Sequence, residues 1–296
     1  FFSTYLMANT EPGVSLKICS FNLLAPCYYR IQYHKRESSL RDRYLKRCND
    51  CISFLKDNVA DIYCFQEFWF NEEYFQLFKD AFENEYNIFS GQRPHKADGL
   101  LVLVKKNLII ADKEPIPIQV KNTKVIKLTR LSNRIALFLS ISIRHHDFIL
   151  VTTHLSFPHG MVSNHIQKDE AENICTIIKK DLIGFPVILC GDLNADEDSP
   201  VYQIIKLQGY ISTHAQIHQR EPKVSHKNHL KEDVLADYIL YRNPSSGTTI
   251  KPLEVSLLPE NDCDSVWPNS FTISDHRPIA ATIQLNTCTN KKKNLL

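Results

Sequence analysis

Short apolar runs that stop on a polar residue recur along this chain, and they constrain its fold more than any other feature. Leu16-Lys17-Ile18-Cys19-Ser20-Phe21 ends on Asn22, and Ile62-Tyr63-Cys64-Phe65-Gln66 ends on Glu67. Phe148-Ile149-Leu150-Val151-Thr152-Thr153 ends on His154, and Val187-Ile188-Leu189-Cys190-Gly191 on Asp192-Leu193-Asn194. Runs of this kind read as buried strands. Positions 99–104, 135–143, 235–241 and 279–285 add further strand candidates. Between them lie a few stretches of helical spacing. One carries Leu40, Tyr44, Cys48, Cys51, Ile52 and Leu55, and one follows the N-cap Asn71 with Tyr74, Leu77, Phe78, Ala81 and Phe82. A third carries Ile166, Ile174, Ile177, Ile178 and Leu182, and a fourth runs from Ser199 and Pro200 to a closing Gly209. Many strands alternating with few helices predict an α/β protein (α+β by some schemes) with large, partly buried sheets. No internal repeat and no Pro/Ser-rich linker interrupts the pattern, so it reads as one domain.

Composition excludes several classes. Only 8 of 296 residues are Gly, and no two are spaced for a dinucleotide fingerprint, a P-loop or a nucleophile elbow. Lys plus Arg (35) nearly balance Asp plus Glu (33), so phosphate binding must come from local clusters. The longest uncharged apolar stretch, 135–143, is too short to span a bilayer. The start lacks the basic and apolar regions of a signal peptide and does not begin with Met, which places the native start upstream or at Met7. Nine cysteines, three of them inside apolar runs, predict a reduced, intracellular protein, cytoplasmic rather than nuclear. Cys48-x-x-Cys51 lies on an apolar helical face and reads as core packing.

In sheet-based α/β proteins, ligand sites gather at strand ends. Glu67, Asp192 and Asn194 offer hard oxygen ligands without any cysteine, a set suited to Mg²⁺ or Mn²⁺. Asp192-x-Asn194 places two side chains on one face of an extended segment. Asp237 is a costly residue for a strand interior unless a cation such as His⁺ pairs with it. Ser274-Asp275-His276 precedes the last strand, and two histidines, His154 and His276, are available to orient water or meet phosphoryl charge. Metal-assisted attack of water on a phosphoester is the chemistry this set serves.

These residues carry a resemblance. Ser20-Phe21-Asn22-Leu23-Leu24-Ala25, Gln66-Glu67, Asp98-Gly99-Leu100, Thr153-His154-Leu155, Cys190-Gly191-Asp192-Leu193-Asn194, Asp237-Tyr238-Ile239 and Ser274-Asp275-His276 occur in the order found in the endonuclease/exonuclease/phosphatase superfamily. The chain resembles its carbon-catabolite-repressor/nocturnin-type branch, and through Gln66-Glu67-Phe68-Trp69 and the 224–229 segment a subgroup whose members carry EF-hands after the catalytic domain. The resemblance implies the deoxyribonuclease-I-like fold, a four-layer sandwich of two packed mixed β-sheets flanked by helices. It implies a catalytic domain over 16–286, with an extension over 1–15 and a basic flexible tail over 287–296. It further implies that Glu67 binds the metal with Asn22 beside it and Asp275 in support. Asp192 would then activate or orient water, Asn194 and His154 contact phosphate, and His276, oriented by Asp237, stabilise or protonate a phosphoryl oxygen. Asp192-x-Asn194-x-Asp196-x-Asp198 mimics an EF-hand opening, but Glu197 stands where Gly is required and Gln203 at the twelfth position. No EF-hand calcium site is therefore expected.

For the substrate, the first reading is a nuclease of the 3′-exoribonuclease or deadenylase kind, acting on single-stranded RNA. Basic segments at 105–134, which includes Arg134, and at 220–231, which includes His226, are candidate backbone contacts. Trp69, with Phe68, Phe70, Tyr28 and Tyr29, is a candidate base-stacking residue. The alternatives are a lipid or small-molecule phosphodiesterase or phosphatase, and a non-catalytic module with the same fold. His214, His218, His226 and His229 form a minor zinc candidate with no acidic or thiol ligand to complete it.

Overall fold

The computed structural model describes residues 13–109, 114–228, 230–260, 266–268 and 270–288. Most of the N-terminal extension with Met7, nearly all of the basic tail, and Asp112, Lys113 and His229 lie outside the described residues. In chain order the principal strands are β1 (Val14–Asn22), β2 (Ile62–Trp69), β3 (Tyr86–Gln92), β4 (Asp98–Lys105), β5 (Ile116–Lys127) and β6 (Ile135–Ile143). They continue with β7 (His146–His154), β8 (Val187–Asp192), β9 (Asp237–Arg242), β10 (Gly247–Leu257) and β11 (Ile279–Cys288). The helices that cover them are α1 (Arg41–Asp57), α2 (Glu72–Phe82), α3 (Met161–Asp181) and α4 (Pro200–Leu207).

One sheet has the order β10-β11-β1-β2-β4-β3, and the other continues β9-β8-β7-β6-β5 between two short edge strands. Both are mixed, with β1 and β2 parallel, β7 and β8 parallel, and other neighbours antiparallel. The inner faces meet in one apolar layer that includes Ile18, Cys64, Val102, Leu139, Leu150 and Ile188. Alternate residues of the first sheet, such as Phe65 and Leu103, turn outward onto Cys48, Cys51, Leu55 and Phe78 of α1 and α2. Ile149, Val187 and Leu189 of the second sheet do the same against Ile174, Ile178 and Ile205 of α3 and α4. Period-2 alternation between two apolar faces thus yields the four-layer sandwich that the resemblance implies.

Three strands were not visible as apolar runs. β3 has a mostly half-buried pattern, β5 is exposed along most of its length, and β10 alternates buried with exposed residues. Each sits at or next to a sheet edge, where one side faces water and continuous hydrophobicity is not required. Helix ends follow their signals: Asn71 Oδ1 accepts from the Tyr74 amide at 3.1 Å, and Ser199 Oγ accepts from the Tyr202 amide at 3.1 Å. Gly209, just past α4, has a φ of 85°. One expectation needs correcting: Asp237 is not inside a strand but is the first residue of β9. Among the described residues, no helix is long and apolar enough to cross a membrane.

Candidate active site

Strand register assembles the polar residues. His154 at the end of β7 pairs in register with Asp192 at the end of β8, and Asp192 pairs with Asp237 at the start of β9. Three titratable side chains therefore stand side by side at one rim of the second sheet. In the first sheet Asn22 pairs in register with Gln66, one residue before Glu67. The two rims are stitched together: Asn22 Nδ2 donates to Asp192 Oδ2 at 2.9 Å, and Gln66 Nε2 reaches both Ser20 Oγ and Thr152 Oγ1. The loop before β11 closes the site, because Ser274 Oγ donates to the Asn22 carbonyl and accepts from the His276 amide.

Backbone irregularity aims the side chains. The β2–β4 register shifts between Phe65 and Phe68, and Glu67 inside that bulge has a φ of 52°. Asn194 has a φ of 48° and Leu24 a φ of 52°. Left-handed conformations in side-chain-bearing residues cost about 1–3 kcal/mol each, and clustering at one rim is typical of sites. A Cβ on Gly191 would stand 2.0 Å from the Thr153 carbonyl oxygen, so only glycine lets β7 and β8 approach there.

The hydrogen bonds define two groups. His276 Nδ1 lies 2.8 Å from Asp237 Oδ2, which also accepts from Ser225 Oγ at 2.8 Å. His276 Nε2 faces Asp192 Oδ2 at 3.6 Å and Asp275 Oδ1 at 3.9 Å. Burial opposes a charge on His276, yet Asp237, Asp192 and Asp275 outweigh it and push its pKa up to about 10. Asp192 Oδ1 accepts from the Asn194 amide at 2.8 Å, and His154 Nε2 lies 3.4 Å from Asp192 Oδ2. Burial raises the Asp192 pKa, with Asp237 adding to it. Burial, together with Arg134 and Arg93, holds His154 well below the usual imidazole range. Asn194 Nδ2 is held by the Leu155 carbonyl at 2.9 Å and stands 3.0 Å from His154 Nε2.

Glu67 stands apart from these pairs. Its Oε2 accepts from the Ala25 amide at 3.1 Å, and burial followed by repulsion from Asp275 and Asp98 pushes its pKa up to about 7. Asp275 Oδ1 is buried without a hydrogen-bond partner among the described residues. A buried carboxylate raised in energy by neighbouring carboxylates, and an unpartnered Asp275 oxygen, are donors of the kind a hard divalent cation takes. Among the described residues, the groups whose ligand atoms lie within 4.8 Å of one another are His226 with Asp275 and His276, and Asp192 with Asp237 and His276; Glu67 belongs to neither.

Of the three candidate substrate contacts, two reach the site. His226 stacks on His276 with ring centroids 3.8 Å apart and planes 13° from parallel. Arg134 lines a cavity of about 440 Å³ together with Glu67. Trp69 does not. It is 9% exposed and packs edge-on against Tyr44 at 5.1 Å, because β2 turns it toward α1 and α2. Phe68 is likewise core, whereas Tyr28 lines the cavity and donates to Asp98 Oδ1 at 2.7 Å. Within 105–134, Lys105 ends β4 of the first sheet and pairs with Asp61, and Lys121 on β5, next to the edge of the second sheet, pairs with Asp147. The zinc candidate disperses: His214 and His218 turn to the carbonyls of Arg220 and Val255, and His226 belongs to the rim.

Sequence reasoning missed Arg47. On α1 it forms an ion pair with buried Glu37 and donates to the carbonyls of Leu23, Leu24 and Ile273, so one guanidinium ties together both loops that carry Asn22 and Asp275. Ser225 and Ser274, which orient Asp237 and bridge Asn22 to His276, were also missed as supporting residues.

A two-sheet sandwich with this rim of carboxylates, amides and imidazoles defines a class. The chain matches the Endonuclease/Exonuclease/phosphatase family over residues 20–276, and it belongs to that family. Its likenesses extend to the nocturnin-type branch: Nocturnin of Drosophila melanogaster is 22% identical over 163 residues, 52% of this chain and 24% of that protein. An uncharacterized calcium-binding protein of Arabidopsis thaliana is 27% identical over 277 residues, 84% of this chain and 55% of the relative. The chain thus spans about half the length of that relative or, for Nocturnin, a quarter. Among solved structures, ANGEL2, a 2′,3′-cyclic phosphatase in complex with adenosine-2′,3′-vanadate, superposes with a TM-score of 0.68 at 19% identity, over 94% of this chain and 98% of that one. The Arabidopsis relative corrects one expectation: a relative that matches most of this chain is named for calcium binding, which overturns the expected absence of a calcium site.

Proposed function

We propose that the protein hydrolyses phosphodiester bonds with the help of Mg²⁺ or Mn²⁺, and that it is a nuclease acting on RNA from the 3′ end. The observation that carries this reading is the rim itself, where buried Glu67 feels the repulsion of Asp275 and His276 Nδ1 lies 2.8 Å from Asp237 Oδ2. Glu67 and Asp275, with the Asn22 amide oxygen, are the residues that would hold the cation. Bound there, the cation would supply positive charge against the charge that builds on a phosphoryl oxygen. Asp192 orients the attacking water and takes its proton, its own position fixed by Asn22 and the Asn194 amide. His276, kept protonated by Asp237, donates from Nε2 to a phosphoryl oxygen. His154 and Asn194 hold the phosphate from the other side. RNA is favoured by the likeness to Nocturnin and to a 2′,3′-cyclic phosphatase in complex with adenosine-2′,3′-vanadate.

The catalytic unit is taken as 16–286, flanked by 1–15 and 287–296. Calcium binding by the whole protein follows the name of the Arabidopsis relative. The test is to incubate the protein with poly(A), mixed RNA, DNA of one and two strands, and sphingomyelin in Mg²⁺ or in excess chelator. RNA shortening in Mg²⁺, lost in chelator and lost in Glu67→Gln with the fold retained, is expected. Full activity in chelator or in Glu67→Gln refutes the metal role, and sphingomyelin turnover without RNA turnover refutes the nuclease role.

A further inference from the structure

The cavity that opens beside Glu67 holds more positive charge than its carboxylates neutralise. Tyr28, Arg93, Lys96, Arg134 and Ser156 line it along with Glu67. Its volume of about 440 Å³ lies within the range of small-molecule sites, roughly 300–1,000 Å³, and exceeds the need of a single phosphate. Arg93 is already neutralised: it donates to Asp98 Oδ1 at 2.7 and 3.2 Å and to the Tyr28 hydroxyl at 2.8 Å. Arg134 is not. Its Nη1 is buried with no hydrogen-bond partner among the described residues. Burial, with Arg93 nearby, pulls its pKa below the usual guanidinium value although Glu67, Glu170 and Asp98 act against the shift. A desolvated cation without a partner is destabilising, and folds retain one where a ligand supplies the missing anion.

The backbone around Arg134 is set in advance. Ser132 N donates to Thr129 Oγ1 at 3.0 Å, and Arg134 N donates to Ser132 Oγ at 3.3 Å. Leu128 N donates to the Arg134 carbonyl at 2.9 Å, closing the turn. Arg134 is therefore presented to the cavity from a fixed frame. Guanidinium geometry matches phosphate oxygens in paired hydrogen bonds.

We infer that this cavity binds a second phosphate of the substrate molecule whose first phosphate is cleaved, with Arg134 as its main partner and Lys96 at the mouth. The inference rests on the phosphoesterase reading and deepens it: the preferred substrate carries two neighbouring phosphates. Such a pair is found in an oligonucleotide of three or more units and in a small nucleoside bisphosphate.

Two matched pairs distinguish these sources. ApA is compared with ApApA, and adenosine 3′-phosphate with adenosine 3′,5′-bisphosphate, each with wild type, Arg134→Met and Arg134→Lys in Mg²⁺. In at least one pair, wild type is expected to favour the two-phosphate member by roughly tenfold or more in kcat/KM, mostly through KM. Arg134→Met removes that preference, lowering kcat/KM for the two-phosphate member much more than for the one-phosphate member, and Arg134→Lys restores part of it. The pair that shows the preference names the source. Because Arg134 is unpaired, Arg134→Met should melt no lower than wild type, and the wild-type preference stands as a test even if the variant fails to fold. Wild-type turnover without preference in either pair overturns the inference while leaving the phosphoesterase reading intact. So does an Arg134→Met variant that loses both members of a pair equally, since Arg134 would then act on the cleaved phosphate. No turnover of any member by wild type that shortens poly(A) overturns the inference alone, whereas protein inert toward poly(A), mixed RNA, DNA and sphingomyelin as well refutes the phosphoesterase reading and the inference with it.

Discussion

Asp237 illustrates how one carboxylate can be both awkward and necessary. It is fully buried, and its Oδ2 is shared between the His276 ring and the Ser225 hydroxyl, so its charge serves to hold and charge an imidazole rather than to bind solvent. Asp237→Asn keeps the shape and removes the charge. Its kcat is expected to fall by about 10²–10⁴-fold with KM nearly unchanged, as measured by steady-state kinetics. Its melting temperature at neutral pH should fall, because buried His276 loses the carboxylate that does most to keep it charged. An unchanged kcat would remove His276 from the chemistry. At this level much was legible in the sequence: a carboxylate beside an apolar run demands a partner, and the demand pointed to a histidine before any coordinates. Trp69 was not legible, since an aromatic beside a strand end serves a core or a cavity depending on the direction of one bulge. The bulge at Glu67 leaves no mark in hydrophobic periodicity.

Helix α1 carries a function that its apolar face does not announce. Cys48, Cys51 and Leu55 pack it on the sheet, while Arg47 passes beneath the loops after β1 and before β11 to hold three carbonyls. Arg47→Leu would leave Glu37 charged, buried and without its main partner, at a cost of roughly 3–5 kcal/mol in chemical denaturation. The double variant Glu37→Gln/Arg47→Leu should recover much of that stability yet remain catalytically impaired, because the Leu23, Leu24 and Ile273 carbonyls still lose their tether. Recovery of both together would make Arg47 a purely structural residue. Helices and central strands were readable because each buries a continuous or periodic apolar face. The edge strands β3, β5 and β10 were not, since their ladders rest on neighbours distant in sequence rather than on their own hydrophobicity.

For the molecule as a whole, function depends on two sheets stacking so that unrelated strand ends share one rim. Register across β7, β8 and β9 aligns His154, Asp192 and Asp237, and the Asn22–Asp192 bond fixes the first sheet against the second. The order of polar residues in the chain announced which ones would meet; the stitching by Gln66, Ser274 and Arg47 emerged only in three dimensions. Crystals soaked in Mn²⁺ and measured at the manganese absorption edge would locate the cation directly. A strong anomalous peak is expected within about 2.5 Å of a Glu67 carboxylate oxygen, and it should vanish in Glu67→Gln. Manganese bound elsewhere, in crystals of protein that still cleaves its substrate with Mn²⁺, would contradict the convergence of these strand ends on a catalytic metal.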